Sequence, residues 1–345
     1  MRRVLAVVAA AAMVVGSLAL RSRLDDRKDE RSQVLRLTCA TELEAACRQL
    51  EEADGRLKVT VEPAGTTASR LAEVDGEAGL DGWLTTGPWP EIVDLERRSA
   101  ALEPLFTAPR PPLARSPLVL VVATERAAVL APRCAGTAVG WKCLGEAAST
   151  AGGWAALGGR PEWGNVKPAH ASPVADGVGA LVLGQAVSSW FGRTDLSTAD
   201  LEDEEFQRWF AALEGAVAPS AGSPLTTLLV AGPGVVDAAG TTEAEAGPSL
   251  ANSARRNSLT LLYPSPMATA DVMLATAAGD GPSGSLSRLV EGGKGREALA
   301  AAGWRVDGQR RAPGVSDSPA LGPGSGLPSP GFLDALRARW REVTS

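Results

Sequence analysis

The chain has 345 residues, 45% hydrophobic content and a net charge of -6, with its acidic residues dispersed. That composition is globular, with enough apolar material for one large core or two moderate ones. No run of Lys and Arg lies on an aromatic-rich stretch, which argues against a nucleic-acid surface.

Met1, Arg2 and Arg3 form a short basic start, and residues 4–20 are an apolar run too short for a comfortable membrane span. Ser17 and Ala19 put small residues where a signal peptidase reads, so residues 1–20 read either as a signal peptide cleaved after Ala19 or as an uncleaved anchor. Either way the rest of the chain is expected outside the cytoplasmic membrane, touching it only through residues 4–20. Cys39 lies far past the apolar run, which speaks against a lipoprotein. Residues 21–33 are charged and read as a stalk.

Residues 34–38 carry a strand pattern, and Thr41-Glu42-Leu43-Glu44 spells a capping box. Leu43, Ala46, Cys47 and Leu50 then fall at helical spacing, and Gly55 ends that helix. Residues 57–61 alternate as a strand, and Pro63 to Thr67 form a turn into a helix over residues 68–74. Residues 81–85 are a third strand and residues 90–97 a third helix. Residues 117–122 are continuously apolar, as in a buried strand of a parallel sheet. Such alternation predicts right-handed crossovers and a sheet covered by helices, with the site beyond the carboxyl ends of the strands. Further on, residues 175–191 read as an apolar helix and residues 204–213 as an amphipathic one carrying Phe206, Trp209 and Phe210. Residues 225–230 fit a helix end or a strand, and residues 258–263 a strand stopped by Pro264. A helix over residues 295–302 is closed by Gly303, and residues 307–329 form a long loop. Ser329 as N-cap and Pro330 at the first helical position start a last helix that reaches about residue 341.

The four cysteines, Cys39, Cys47, Cys134 and Cys143, allow three connectivities. Short loops make Cys39–Cys47 and Cys134–Cys143 the simplest pairs in an oxidising space. Zinc would want tighter spacing and more histidine than His170 alone.

Helix starts offer unsatisfied amides and the positive end of a dipole, which can hold a polar or anionic solute. Thr41, Thr66, Thr67 and Thr85 stand at strand-to-helix junctions, where they serve as ordinary caps or add hydroxyls to such a site. Trp83 and Trp89 flank the third junction as pocket wall or core. Catalytic chemistry is poorly supplied. His170 is the lone histidine, no Gly-x-Ser-x-Gly elbow exists, and the glycine runs near residues 281–295 lack phosphate-loop spacing. The acidic residues of 200–205 lack metal-loop spacing and read as a solvated first helical turn. The expectation is a non-enzyme without cofactor or metal.

These segments resemble the type II periplasmic solute-binding proteins, in the molybdate-type branch of ABC-transporter binding proteins. Residues 35–44, Gly65-Thr66-Thr67-Ala68, the run from Asp81 to Trp89, residues 116–122, residues 259–264 and Gly303-Trp304-Arg305 carry the resemblance. It implies a two-lobed α/β fold of mostly parallel sheets flanked by helices, with a two-strand hinge. Lobe one would hold residues 34–117 and 262–345, and lobe two residues 118–261. The hinge would leave through residues 117–123 and return through residues 258–263. The implied ligand-binding set is Thr41, Thr66, Thr67, Thr85 and Trp89 from lobe one, and Ser172, Val174, Asp176 and Glu243 from lobe two, with Tyr263 at the return. Asp176 departs from the molybdate pattern, since a carboxylate beside an anion is costly. The implied role is an extracytoplasmic receptor delivering a small polar or anionic solute to an ABC-type permease. The alternative is a membrane-anchored module of the same fold that docks an envelope protein without transport.

Overall fold

The structure, a computed structural model, describes residues 33–74, 79–106, 111–134, 139–218, 222–276 and 283–345. The expected signal segment and nearly all of the stalk lie outside the described residues. No described helix is long and apolar enough to cross a membrane.

The chain begins with strand β1 (Leu35–Ala40), a 3-10 turn (Thr41–Leu43) and helix α1 (Glu44–Ala53). Then come β2 (Leu57–Glu62), α2 (Ala64–Glu73), β3 (Gly82–Thr86), α3 (Trp89–Ser99) and β4 (Ala114–Ala123). The middle holds α4 (Thr124–Leu130), α5 (Trp141–Ala148), α6 (Gly153–Ala156), β5 (Pro168–Ala169), α7 (Gly177–Phe191), α8 (Glu204–Ala216) and α9 (Pro224–Ala231). The chain closes with β6 (Ala238–Thr242), α10 (Glu243–Ala251), β7 (Leu259–Leu262), β8 (Thr269–Ala275), α11 (Ser283–Glu291), α12 (Gly293–Ala301) and α13 (Pro330–Thr344).

The strands run in the order β2-β1-β3-β8-β4-β6-β5, and β7 also pairs with β4. In the first half β1 is parallel to β2 and β3, as the βαβ alternation predicts. β4 departs from the parallel strand expected of its apolar run: β6, β7 and β8 are all antiparallel to it. Its run is continuous because both faces are covered. Leu118, Leu120 and Val122 pack in one apolar cluster, and Val119, Val121 and Ala123 in another. Burial on two faces erases alternation whatever the strand direction.

β4 also joins the two halves. Residues 114–117 pair with β8, whereas residues 118–123 pair with β6 and β7. The chain returns from β7 through residues 263–268 into β8. Arg115 supports this crossing: its Nε donates to Asp271 at 2.9 Å and its guanidinium reaches the Gly322 and Gly324 carbonyls.

Local chemistry explains most boundaries. Ser329 caps α13 by accepting from the Phe332 amide, with Pro330 in the first turn. Gly303 follows α12 at φ +98°, a conformation that favours glycine. Asp200 joins Ser197 in a capping box and Asp203 caps α8, so this acidic run is a helix start. The disulfides join Cys39 to Cys47 and Cys134 to Cys143.

Two expectations are corrected. The capping box at Thr41 does not form, because Ala40 precedes a 3-10 turn and α1 begins only at Glu44 with no side-chain cap. Thr41 is exposed, and its neighbour Glu42 turns inward. The turn expected at residues 63–67 is already helix: Pro63 caps α2, so Thr66 and Thr67 lie in its first turns.

Candidate functional site

The starts of α2 and α7 meet across the gap between the halves. The Gly65 amide donates to the Ala175 carbonyl at 2.9 Å. A Cβ at Gly65 would stand 2.0 Å from the Val174 carbonyl oxygen, so only glycine permits this approach. Trp89 Nε1 donates to the Gly177 carbonyl at 3.2 Å, from fully buried positions on both sides. Ala180 of α7 packs in the same apolar cluster as Ala40, Ala64, Trp83 and Trp89.

The loop before α7 holds its own shape. The Ser172 carbonyl accepts from the Ala175 and Asp176 amides, and the Asp176 carboxylate caps α7 by accepting from Gly179 at 2.8 Å. Asp176 therefore uses its charge at the positive end of its own helix.

Glu42 enters this place from the other half. Its Oε1 accepts from the Thr86 hydroxyl at 3.1 Å. A Cβ at Gly177 would lie 2.0 Å from that same oxygen, so the carboxyl rests against the first residue of α7. Its second oxygen, Oε2, is buried without a hydrogen-bond partner. Burial, then the nearby Asp176 charge, push the Glu42 carboxyl up to about 8. Burial, and after it the Glu245 charge, also raise Asp176. Glu245 itself is held by the Ser223 and Thr241 hydroxyls.

The expected site residues divide into three groups. Trp89, Val174 and Asp176 come together at the gap with Gly65 and Gly177, and Ser172 supports them through its carbonyl. Thr67 and Thr85 are fully buried with unpartnered hydroxyls, whereas Thr41 and Thr66 are exposed. Glu243 and Tyr263 belong to another cluster, in which Glu243 accepts from Tyr263 at 2.6 Å and from Arg305 at 2.6 and 2.8 Å. Burial and that hydrogen bond raise the Tyr263 hydroxyl. Glu42 and Thr86 were missed. Their one sequence signal is position: Glu42 follows the end of β1 by two residues and Thr86 is the last residue of β3, where a sheet of this kind puts its ligands.

No protein-family model matches the sequence, and no curated protein is similar to it in sequence. Solved structures are similar to it in shape. A periplasmic thiamin-binding protein matches with a TM-score of 0.60 and 12% identity over 90% of this chain and 96% of its own. The periplasmic binding protein AfuA from Actinobacillus pleuropneumoniae, solved with fructose-6-phosphate, gives 0.57 and 13% over 90% and 96%. The apo ferric-ion-binding protein A of Pasteurella haemolytica gives 0.56 and 11% over 90% and 96%. The chain has the two-lobed periplasmic-binding-protein fold. Strand β4 and the β7–β8 passage join the two halves of the sheet, and the start of α2 in one half meets the start of α7 in the other. The C-terminal helix α13 packs on both α3 and α8. Its Arg337 stacks on Trp89 at 4.4 Å and approaches Glu96 of α3 at 3.7 Å, while its Trp340 donates to Glu214 of α8 at 2.7 Å.

His170 is also in contact with Glu214 and is buried. Its Nε2 faces the Glu214 carboxylate at 3.1 Å and its Nδ1 faces the Ala171 carbonyl at 2.8 Å. Both partners are acceptors, so the protonated ring, which donates from both nitrogens, is the form that satisfies both contacts. Burial opposes that charge, but Glu214 and the two hydrogen bonds outweigh it and raise His170 above its ordinary value. No nucleophile is held by this histidine, which serves a structural pair.

Proposed function

We propose that the chain is an extracytoplasmic receptor that closes its two lobes on a small polar solute for delivery to an ABC-type permease. One observation carries this reading: the starts of α2 and α7, from opposite lobes, meet directly, while strand β4 pairs with strands of both lobes. A solute that bridged those starts would hold the closed arrangement and draw the open form toward it. Lobe one is residues 34–117 with 262–345, lobe two is residues 118–261, and α13 straps across both.

The gap's chemistry narrows the solute. Glu42 and Asp176 stand half-buried there with both carboxyl groups raised above their ordinary values, and Glu245 acts on Asp176. An oxyanion, the solute class of the molybdate-type branch, would meet carboxylates where it needs donors. A neutral or cationic polar solute suits the site better. The test is melting of the purified chain against oxyanions, sugars, amino acids, organic cations and metal ions. A true solute at a hundredfold excess over its Kd adds about 2.7 kcal/mol of stability. If no member of the panel raises Tm, the receptor reading loses its support.

A second reading draws on the closure itself. The lobes are already bridged by the chain's own groups at Gly65, Trp89 and Glu42, which suits a module that docks an envelope protein without carrying solute. Capture from membranes with and without solute separates the two: a transport receptor gains its permease when loaded, whereas a docking module binds its partner regardless.

A further inference from the structure

We propose that the Glu42 carboxyl group is a built-in occupant of the solute seat, holding the two lobes together until a solute displaces it. This rests on reading the gap as the solute site, and it adds a regulatory contact to that site.

The geometry is that of a tethered ligand. Glu42 belongs to the lobe-one turn after β1, yet its Oε1 rests against Gly177, the first residue of lobe-two helix α7. The same oxygen accepts from Thr86 at the end of β3, so one carboxyl group touches both lobes. A side chain at residue 177 would expel it. Oε2 has no partner, which is uncommon for a buried polar atom and marks a place where another group's donor would fit.

The groups facing this carboxyl are few. Asp176 comes from the α7 cap, Thr86 from β3 and the Gly177 backbone from α7, while Glu245 at the start of α10 acts on Asp176. The charged groups are all acidic, so the closed state favours a protonated carboxyl. In an opened gap Glu42 would return to water and to its ordinary value near 4.5. Closure therefore takes up a proton. The closing equilibrium is strongest in acid and falls about tenfold per pH unit as pH rises from 4.5 to about 8, then levels. A solute that donates to Asp176 and Glu42, or carries positive charge, would replace that proton.

The experiment uses the whole chain and two variants. Glu42→Ala removes a CH2–COOH group, which acetic acid matches. The probe is acetate, read by melting temperature at pH 5.5 and pH 8.5. Acetate is expected to raise the Tm of Glu42→Ala by several degrees at pH 5.5 and much less at pH 8.5, leaving the native chain unmoved. Glu42→Gln keeps the shape without the titration. By solution scattering its radius of gyration should stay constant from pH 6 to 9, while that of the native chain grows. The proposal is overturned if acetate acts equally on both chains, if it leaves a folded Glu42→Ala unmoved, or if the native radius is as flat with pH as that of Glu42→Gln. Acetate binding without any response to the solute panel would keep the plug and remove the receptor reading.

Discussion

Glu243 and Glu42 are both glutamates that follow a strand end at the junction of the lobes, yet their surroundings are opposite. Glu243 is fully buried, and Arg305, Tyr263 and the Ser316 amide surround it with donors, while Arg305 also donates to the Pro319 and Ser318 carbonyls. Glu42 meets one hydroxyl, a glycine backbone and another carboxylate. A satisfied ion pair fixes the elements that carry it. An under-satisfied carboxyl marks a surface that can exchange partners. The lesson is that burial of a charged group says little until its donors are counted.

Breaking the satisfied cluster should do the most damage. Arg305→Met strands Glu243 as a buried charge and is expected to cost about 3–5 kcal/mol, measured by urea unfolding. A loss under about 1 kcal/mol would show that the hinge does not depend on the pair. Gly65→Val is next. It forces a side chain into the Val174 carbonyl and should separate the lobes, so scattering at pH 6 would show an expanded particle with both lobes still folded, at about 1–3 kcal/mol. An unchanged radius would remove the claim that this contact sets closure.

His170 gives a third comparison, because its charge is paired where that of Glu42 is not. Its raised pKa means that its contribution is fully present below the ordinary value of 6.5 and is lost as pH rises through the folded-state value. The stability gap between the native chain and His170→Gln should therefore narrow from pH 6 upward in urea titrations. A gap that stayed constant would place the imidazole's role in packing alone. Glu42→Gln is expected to be nearly neutral at pH 4.5 and increasingly stabilising as pH rises toward about 8, levelling above it, because the native carboxyl must take up a proton to be buried and the amide does not. A large loss at pH 7 would mean that Glu42 is as tightly integrated as Glu243.

Much of the fold is legible in particular residues. The alternation from residue 34 to 99 predicts β1 to α3, Ser329-Pro330 predicts the start of α13, and short cysteine spacings predict both disulfides. The capping box at Thr41 misleads because the pattern describes a helix in isolation, whereas β1 delivers the chain into a 3-10 turn instead. α4, α5, β6, β8 and α10 escape the sequence reading because their segments are short or rich in Ala and Gly, so periodicity has little to act on. At the gap, Trp89, Val174 and Asp176 were visible as residues near helix starts. Glu42 and Thr86 were not, because no local pattern distinguishes an inward carboxyl from a solvated one.

The amino-acid sequence by itself determined local matters: the strands and helices from residue 34 to 99, the start of α13, and which cysteine pairs close the shortest loops. Those properties depend on neighbours within a few positions. The tertiary structure alone decided that β4 is antiparallel to all its partners, that Glu243 belongs to Arg305, and that Glu42 rests on Gly177. Such partners lie from 62 to more than a hundred positions apart, and only packing of the whole chain can bring them within reach.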